Sequence, residues 1–100
     1  MDGAIADFSE ALRLNPEYAT AFYNRANARQ DQDDLEGAIA DYDKALRLNP
    51  QDADAFYNRA LARRDQGDLE GAIADLEQGA VLAPGDEDFP RLVAKLRVQV

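Results

Sequence analysis

The 100-residue chain contains no cysteine and no histidine. Without cysteine there is no disulfide framework and no thiolate metal site. Without histidine the commonest general base and metal ligand at neutral pH is missing. Basic residues are scarce: 11 lysines and arginines stand against 20 aspartates and glutamates, for a net charge of −9. Lysine occurs only as Lys44 and Lys95. Non-specific nucleic-acid binding rests on basic side chains that neutralise phosphates, so nucleic acid is not an expected partner. An anionic membrane surface is excluded on the same ground, and basic partners are favoured. The acid excess fits either an ordinary solvated surface from an arginine-rich proteome or the solubility needs of a high-salt organism. No stretch approaches the roughly 20 apolar residues of a membrane span, and no signal peptide opens the chain. A cytoplasmic location is expected.

What the chain does have is a repeat. Ala53 to Asp86 slides back by 34 residues onto Ala19 to Asp52 with 22 of the 34 positions identical. A second slide puts its latter half on Asp2 to Asn15. A fixed period of this size marks stacked units, none of which can bury its apolar face alone. Large and small residues recur at set places. Phe22 and Phe56 open the first helix of each unit, with Ala26 and Ala60 one turn on. In the second helix, Ala4, Ala38 and Ala72 are followed by Phe8, Tyr42 and Leu76, then by Ala11, Ala45 and Gly79. Pro16, Pro50 and Pro84 close the units.

On these residues the stretch from Asp2 to Asp86 resembles the tetratricopeptide repeat (TPR) family. Two positions depart from its pattern: Arg29 and Arg63 stand where the family has an aromatic, and Asp33 where it has the glycine seen here as Gly67. The resemblance implies an all-α fold, a right-handed superhelical stack of antiparallel helix pairs (an α-solenoid) with a C-terminal capping helix. It divides one domain, 1–100, into the second helix of a truncated repeat (2–16), complete repeats at 19–52 and 53–86, and the cap (87–100). The chain enters the pattern halfway through a repeat, so it is expected to be the C-terminal piece of a longer array.

Apolar spacing predicts helices over 2–14, 18–31, 35–48, 53–65, 69–82 and 89–98. Asn15-Pro16 and Asn49-Pro50 should stop helices, because the residue before proline is pushed out of the α region. Asp34 and Asp68 are placed to cap the helices that follow them, and Asp33 is expected in a left-handed conformation. Gly79 suggests a close helix contact. From Asp86 the sequence changes. Phe89, Leu92, Val93, Leu96 and Val100 form a stripe, Pro90 fits a first turn, and Arg91, Lys95, Arg97 and Gln99 should face water. An array needs such an end helix to cover its last apolar face.

The chemistry points away from an enzyme. Ser9 and Thr20 are the remaining nucleophile candidates, and neither has an activating base in the pattern. The acidic run Asp31, Asp33, Asp34 reads as a solvated turn, and DQDDLEG does not fit a calcium loop. No glycine-rich phosphate loop is present, and neither cofactor nor metal is expected.

A recognition surface is expected instead. In the resembled family the first helices line a concave groove that holds an extended peptide or a partner's helix. Carried over, one helix contributes Thr20, Tyr23, Asn24, Asn27, Gln30 and Asp31. The next contributes Asp54, Tyr57, Asn58, Leu61, Arg64 and Asp65. Asparagine both donates to and accepts from a peptide backbone, and tyrosine offers rigid amphipathic area. Asn24 and Asn58 recur at one place although asparagine is a weak helix former. The expected partner is therefore a protein or peptide, neutral or basic. The alternative is a spacer or self-association element of a larger scaffold with no groove ligand. Chaperone-binding members hold a carboxylate with Lys, Asn and Arg. This chain is similar at Asn27 and Asn58 but has Tyr23, Asp88 and Leu92 at the basic places.

The recurring Arg25 and Arg59, with Asp7, Asp41 and Asp75, suggest ion pairs from Asp7 to Arg25 and from Asp41 to Arg59. On the first helix, Ile5 and Leu12 can pack on the helix beginning near Tyr18. Ala4, Phe8 and Ala11 are left without cover, which predicts fraying of that helix or a weak homodimer through it.

Overall fold

The structure, a computed structural model, describes residues 2–99, with side chains from 3 to 99. Six helices follow in order: α1 Asp2–Leu14, α2 Ala19–Asp31, α3 Leu35–Leu48, α4 Ala53–Asp65, α5 Leu69–Leu82 and α6 Asp88–Arg97. Among the described residues there is no strand. The stripe position expected at Val100 lies outside them.

Local chemistry explains the boundaries. Asn49 and Ala83, each ahead of a proline, leave the α region with φ −138 and −131, as the steric clash with the proline ring requires. Asp34 accepts from the Gly37 amide at 3.0 Å and Asp68 from the Gly71 amide at 2.9 Å, so both expected caps form. A third cap went unnoticed in the sequence: Asp52 accepts from the Ala55 amide at 3.2 Å. The α2 helix has no capping side chain. Tyr18 precedes it with extended backbone, φ −84 and ψ 90, which starts the helix one residue later than expected. At α6 the helix begins one residue earlier, at Asp88, and Pro90 stays within the first turn, where no intrahelical acceptor is lost.

The turns after α2 and α4 share one device. Asp33 has φ 65 and Gly67 φ 87. The Asp34 amide bonds back to the Arg29 carbonyl at 2.8 Å and the Asp33 amide to the Gln30 carbonyl at 2.9 Å, with the same pair of bonds at Asp68 and Gly67. This double closure satisfies the last carbonyls of each helix and needs a left-handed residue.

Packing divides the chain into two compact units, Met1–Pro50 and Gln51–Val100. In the first, Leu12 of α1 joins Ala21 and Phe22 of α2 and Ala45 of α3, while Ala26 packs on Ala38 and Tyr42. In the second, Ala60 of α4, Ala72 and Leu76 of α5, and Phe89 and Leu96 of α6 form the core. Tyr42, Phe89, Leu76 and Leu96 are the largest fully buried side chains, each worth about 1.5–3 kcal/mol relative to exposure. Gly79 has the close contact its sequence suggested: a Cβ there would run into the Phe89 ring.

Candidate functional site

The two long helices that begin the repeats, α2 and α4, each carry an inward and an outward set of polar residues. The inward set is arginine. Arg25 donates from Nε and Nη2 to the Asp41 carboxylate at 2.9 and 2.8 Å, and Arg29 adds a bond from Nη1 at 2.9 Å. Arg59 and Arg63 do the same to Asp75, at 3.0 and 2.7 Å and at 3.0 Å. Asp41 and Asp75 are each 3% exposed, and a buried carboxylate needs such partners. The bonds to Asp41 hold Arg25 protonated more firmly than usual, against the opposing effect of burial. Arg25 and Arg59 also lie over the Phe22 and Phe56 rings at 5.7 and 5.4 Å.

This pairing corrects the expectation from sequence. Arg25 meets Asp41, not Asp7, and Asp41 is held by Arg25 and Arg29. The reason lies in the hairpin. A tight turn folds α3 back along α2, bringing residues 16 apart together and enclosing Asp41. Asp7, on α1, stays exposed. Arg25 reaches α1 through its remaining nitrogen, which donates to Ser9 Oγ at 3.1 Å. The Ser9 hydroxyl thus faces a guanidinium rather than a base. Arg29 and Arg63, which broke the family pattern, are the second members of these clusters.

The outward set contains the expected recognition residues. On α2, Thr20 and Asp31 are exposed, while Tyr23, Asn24, Asn27 and Gln30 are half-buried. The Tyr42 hydroxyl contacts Asn27 Oδ1 and lies 2.8 Å from Gln30 Oε1. A hydroxyl has one proton, so it donates to one amide and accepts from the other once that amide is turned. Tyr23 stacks edge-on to Tyr42 at 6.0 Å. Burial, with smaller contributions from Tyr23 and Asp31, pushes the Tyr42 phenol above its ordinary range.

On α4, Asp54 and Asp65 are exposed, and Tyr57, Asn58, Leu61 and Arg64 are half-buried. Tyr57 stands edge-on to Phe89 at 5.3 Å. Arg64 donates to its neighbour Asp65 at 3.1 Å. The comparison with α2 is informative. Where the second helix carries Tyr42, the first offers amides at Asn27 and Gln30. Where it carries Leu76, with no hydroxyl to satisfy, the matching positions are Leu61 and Arg64. The pattern was legible in the repeat and ties Asn27 and Gln30 to the hydroxyl.

Between α4 and α6 a hollow of about 150 Å³ is lined by Tyr57, Asp88, Arg91, Leu92 and Lys95. Arg91 sits 3.3 Å from Glu87 and 3.8 Å from Asp88. Sequence reasoning placed Asp88 and Leu92 here but missed Arg91 and Lys95, which lie three and seven residues beyond Asp88 and so share its side of the helix. A second cleft, of about 460 Å³, is lined by Glu70, Ile73, Ala74, Glu77 and Arg97. Among the described residues no cluster of acids could hold a metal ion, and no helix is long and apolar enough to cross a membrane. On α1, Ala4, Phe8 and Ala11 are half-buried.

Comparison with known proteins agrees with this architecture. A family model described as tetratricopeptide repeat matches residues 23–87, and one described as TPR repeat matches residues 1–33. No curated protein matches the sequence. Among solved structures, the first TPR of Spaghetti (RPAP3), bound to the HSP90 peptide SRMEEVD, superposes with a TM-score of 0.94 at 26% identity, over 98% of this chain and 78% of that one. The TPR domain of Arabidopsis OM64 gives 0.91 at 27% identity, over 96% and 79%. The MamA protein gives 0.92 at 25%, over 95% of this chain and 52% of that one. With its repeated anchors, the six helices of its described residues and these matches, the chain is an all-α helical-repeat protein that belongs to the tetratricopeptide repeat family.

Proposed function

We propose that this chain, by family a protein-interaction module, holds an extended or helical segment of another protein, neutral or basic in charge, against the first helices of its repeats. One observation carries the reading. Arg25 and Arg29 of α2 and Arg59 and Arg63 of α4 are turned inward and tied to Asp41 and Asp75. The acids on the same helices, Asp31, Asp54 and Asp65, remain exposed. What these helices present to a ligand is therefore negative charge, interleaved with Asn24, Asn58, Tyr23, Tyr57 and Leu61. Arg64 and Asp65 pair with each other and offset, which leaves Asp31 and Asp54 as the acids that set the balance.

The RPAP3 domain was solved with a peptide whose last four residues include three acids. This chain shares that domain's fold, and its own outward charge argues for a ligand of the opposite kind. No catalysis is proposed, since the family and fold serve typically as non-catalytic interaction modules.

The competing reading is a structural spacer in a larger scaffold. It draws support from Asn27 and Gln30, which are engaged with Tyr42, and from Tyr57, which is packed on Phe89. Selection of a random-peptide library on the full chain separates the two. Enrichment of Lys- and Arg-containing sequences, lost in an Asp54→Lys, Asp65→Lys variant that still folds, is the expected result. No enrichment at all would leave the spacer reading, and enrichment of acidic peptides would reverse the charge assignment.

A further inference from the structure

One phenol meets two amides in the first unit. Tyr42, on α3, is 0% exposed. Asn27 and Gln30 lie three residues apart on one side of α2 and are half-buried. The Tyr42 hydroxyl contacts Asn27 Oδ1 and lies 2.8 Å from Gln30 Oε1. The Tyr23 ring, edge-on at 6.0 Å, packs against the phenol. Burial keeps that phenol protonated, so it has one proton to give and lone pairs to receive. A single proton does not serve two amide oxygens. One amide therefore turns its oxygen to the hydroxyl, and the other turns its NH2 group.

The hydroxyl takes one site of each amide, and a carboxamide has four. What each amide shows on its far side is then fixed in kind. The one that gives its oxygen to the phenol shows an NH2 group, and the other shows an oxygen. Along this side of α2 a donor stands beside an acceptor. Such a pair complements a peptide group, which carries one acceptor and one donor. In a helical ligand those groups are bonded to one another along the helix. In an extended ligand they remain open to a partner.

The device is absent from the second repeat. There Leu76, Leu61 and Arg64 stand at the three positions, and Arg64 is paired with Asp65. The hydroxyl and both amides change together, as parts of one unit would.

We propose that Tyr42 is a positioning residue whose hydroxyl sets Asn27 and Gln30 in opposite senses, so that α2 reads the main chain of an extended ligand segment. This rests on the peptide-binding function proposed for the same helix and narrows its ligand from extended or helical to extended. Engagement with Tyr42 orients the two amides rather than occupying them.

Two measurements on the full chain test it. The first needs no ligand. Nuclear Overhauser contacts from side-chain NH2 protons to the Tyr42 ring should be strong for one of the two amides and weak for the other. Equal contacts would mean that both amides share one sense, and would overturn the proposal. The second is calorimetric titration with a Lys-rich peptide, with the same peptide N-methylated at successive single positions, and with a version stapled into a helix. At one position or two adjacent ones, N-methylation should weaken binding to the parent by about tenfold, but binding to Tyr42→Phe by no more than about twofold. The stapled helix should bind more weakly than the unstapled peptide. A chain carrying Asn27→Leu, Gln30→Arg and Tyr42→Leu copies the combination that the second repeat already packs, and should lose the N-methyl sensitivity as well. Equal sensitivity in parent and variants, or a stapled helix that binds as tightly, would overturn the proposal and leave peptide binding standing. A parent chain that binds none of the peptides would overturn both.

Discussion

Arg25 and Asp41 are joined by two hydrogen bonds across the α2–α3 hairpin, and the carboxylate that receives them is almost wholly enclosed. Removing one member of such a pair leaves an uncompensated charge in the interior. Asp41→Ala should therefore destabilise the protein by about 3 kcal/mol, the lower end for buried pairs because both arginines keep some solvent contact. Asp7→Ala, at the equivalent but exposed position, should change stability by no more than about 0.5 kcal/mol. Denaturant unfolding of the two variants checks the contrast. Equal effects would mean that enclosure of Asp41 contributes nothing.

Asp33 holds φ 65 where the next repeat uses Gly67. A Cβ crowds the following carbonyl in this region, and glycine has none. Asp33→Gly should stabilise the chain by about 1 kcal/mol. Thermal unfolding gives the answer. A less stable variant would show that the Asp33 side chain contributes more than its backbone strain costs.

Helix propensity alone would favour Gly79→Ala by about 1 kcal/mol. The Phe89 ring reverses the sign, since the new methyl group would occupy the space of a buried aromatic held against Tyr57. A net loss of about 1–2 kcal/mol is expected, again by denaturant unfolding. Gly79→Ala in a Phe89→Leu background should cost less, because the ring is gone.

Tyr42 is neutral in the fold and its phenol is raised above the ordinary value of 10.0. For an acid raised on folding, the stabilisation from the neutral form is fully present below the unfolded value. It is lost as pH rises past about 10. Stability measured on the alkaline side should fall more steeply in the parent than in Tyr42→Phe. Parallel curves would contradict the raised value. A double-mutant cycle of Tyr42→Phe with Asn27→Leu should also show coupling of about 1 kcal/mol through the shared hydrogen bond.

Much of this fold could be read from a 34-residue offset. The caps Asp34 and Asp68, the left-handed Asp33, the proline stops and the contact at Gly79 all follow from local rules applied twice. The ion pairs did not follow. Asp7, Asp41 and Asp75 occupy one register, so periodicity alone allows Arg25 to meet the aspartate before it or the one after it. Only the closeness of the α2–α3 turn, which encloses Asp41, decides between them. For the proposed peptide surface, Asn24 and Asn58 were visible because they recur. The involvement of Asn27 and Gln30 with Tyr42 required seeing that both amides disappear where the tyrosine becomes leucine.

The central claim is that the outward faces of α2 and α4 select ligands by negative charge. The most direct measurement is calorimetric titration of the full chain with Lys-rich and Glu-rich peptides of matched length, at low and at high salt. Binding of the Lys-rich peptide should be tighter at low salt and should weaken as salt rises, because exposed charges are screened beyond about 10 Å at 0.1 M ionic strength. Equal affinity for the two peptides, unchanged by salt, would contradict the claim.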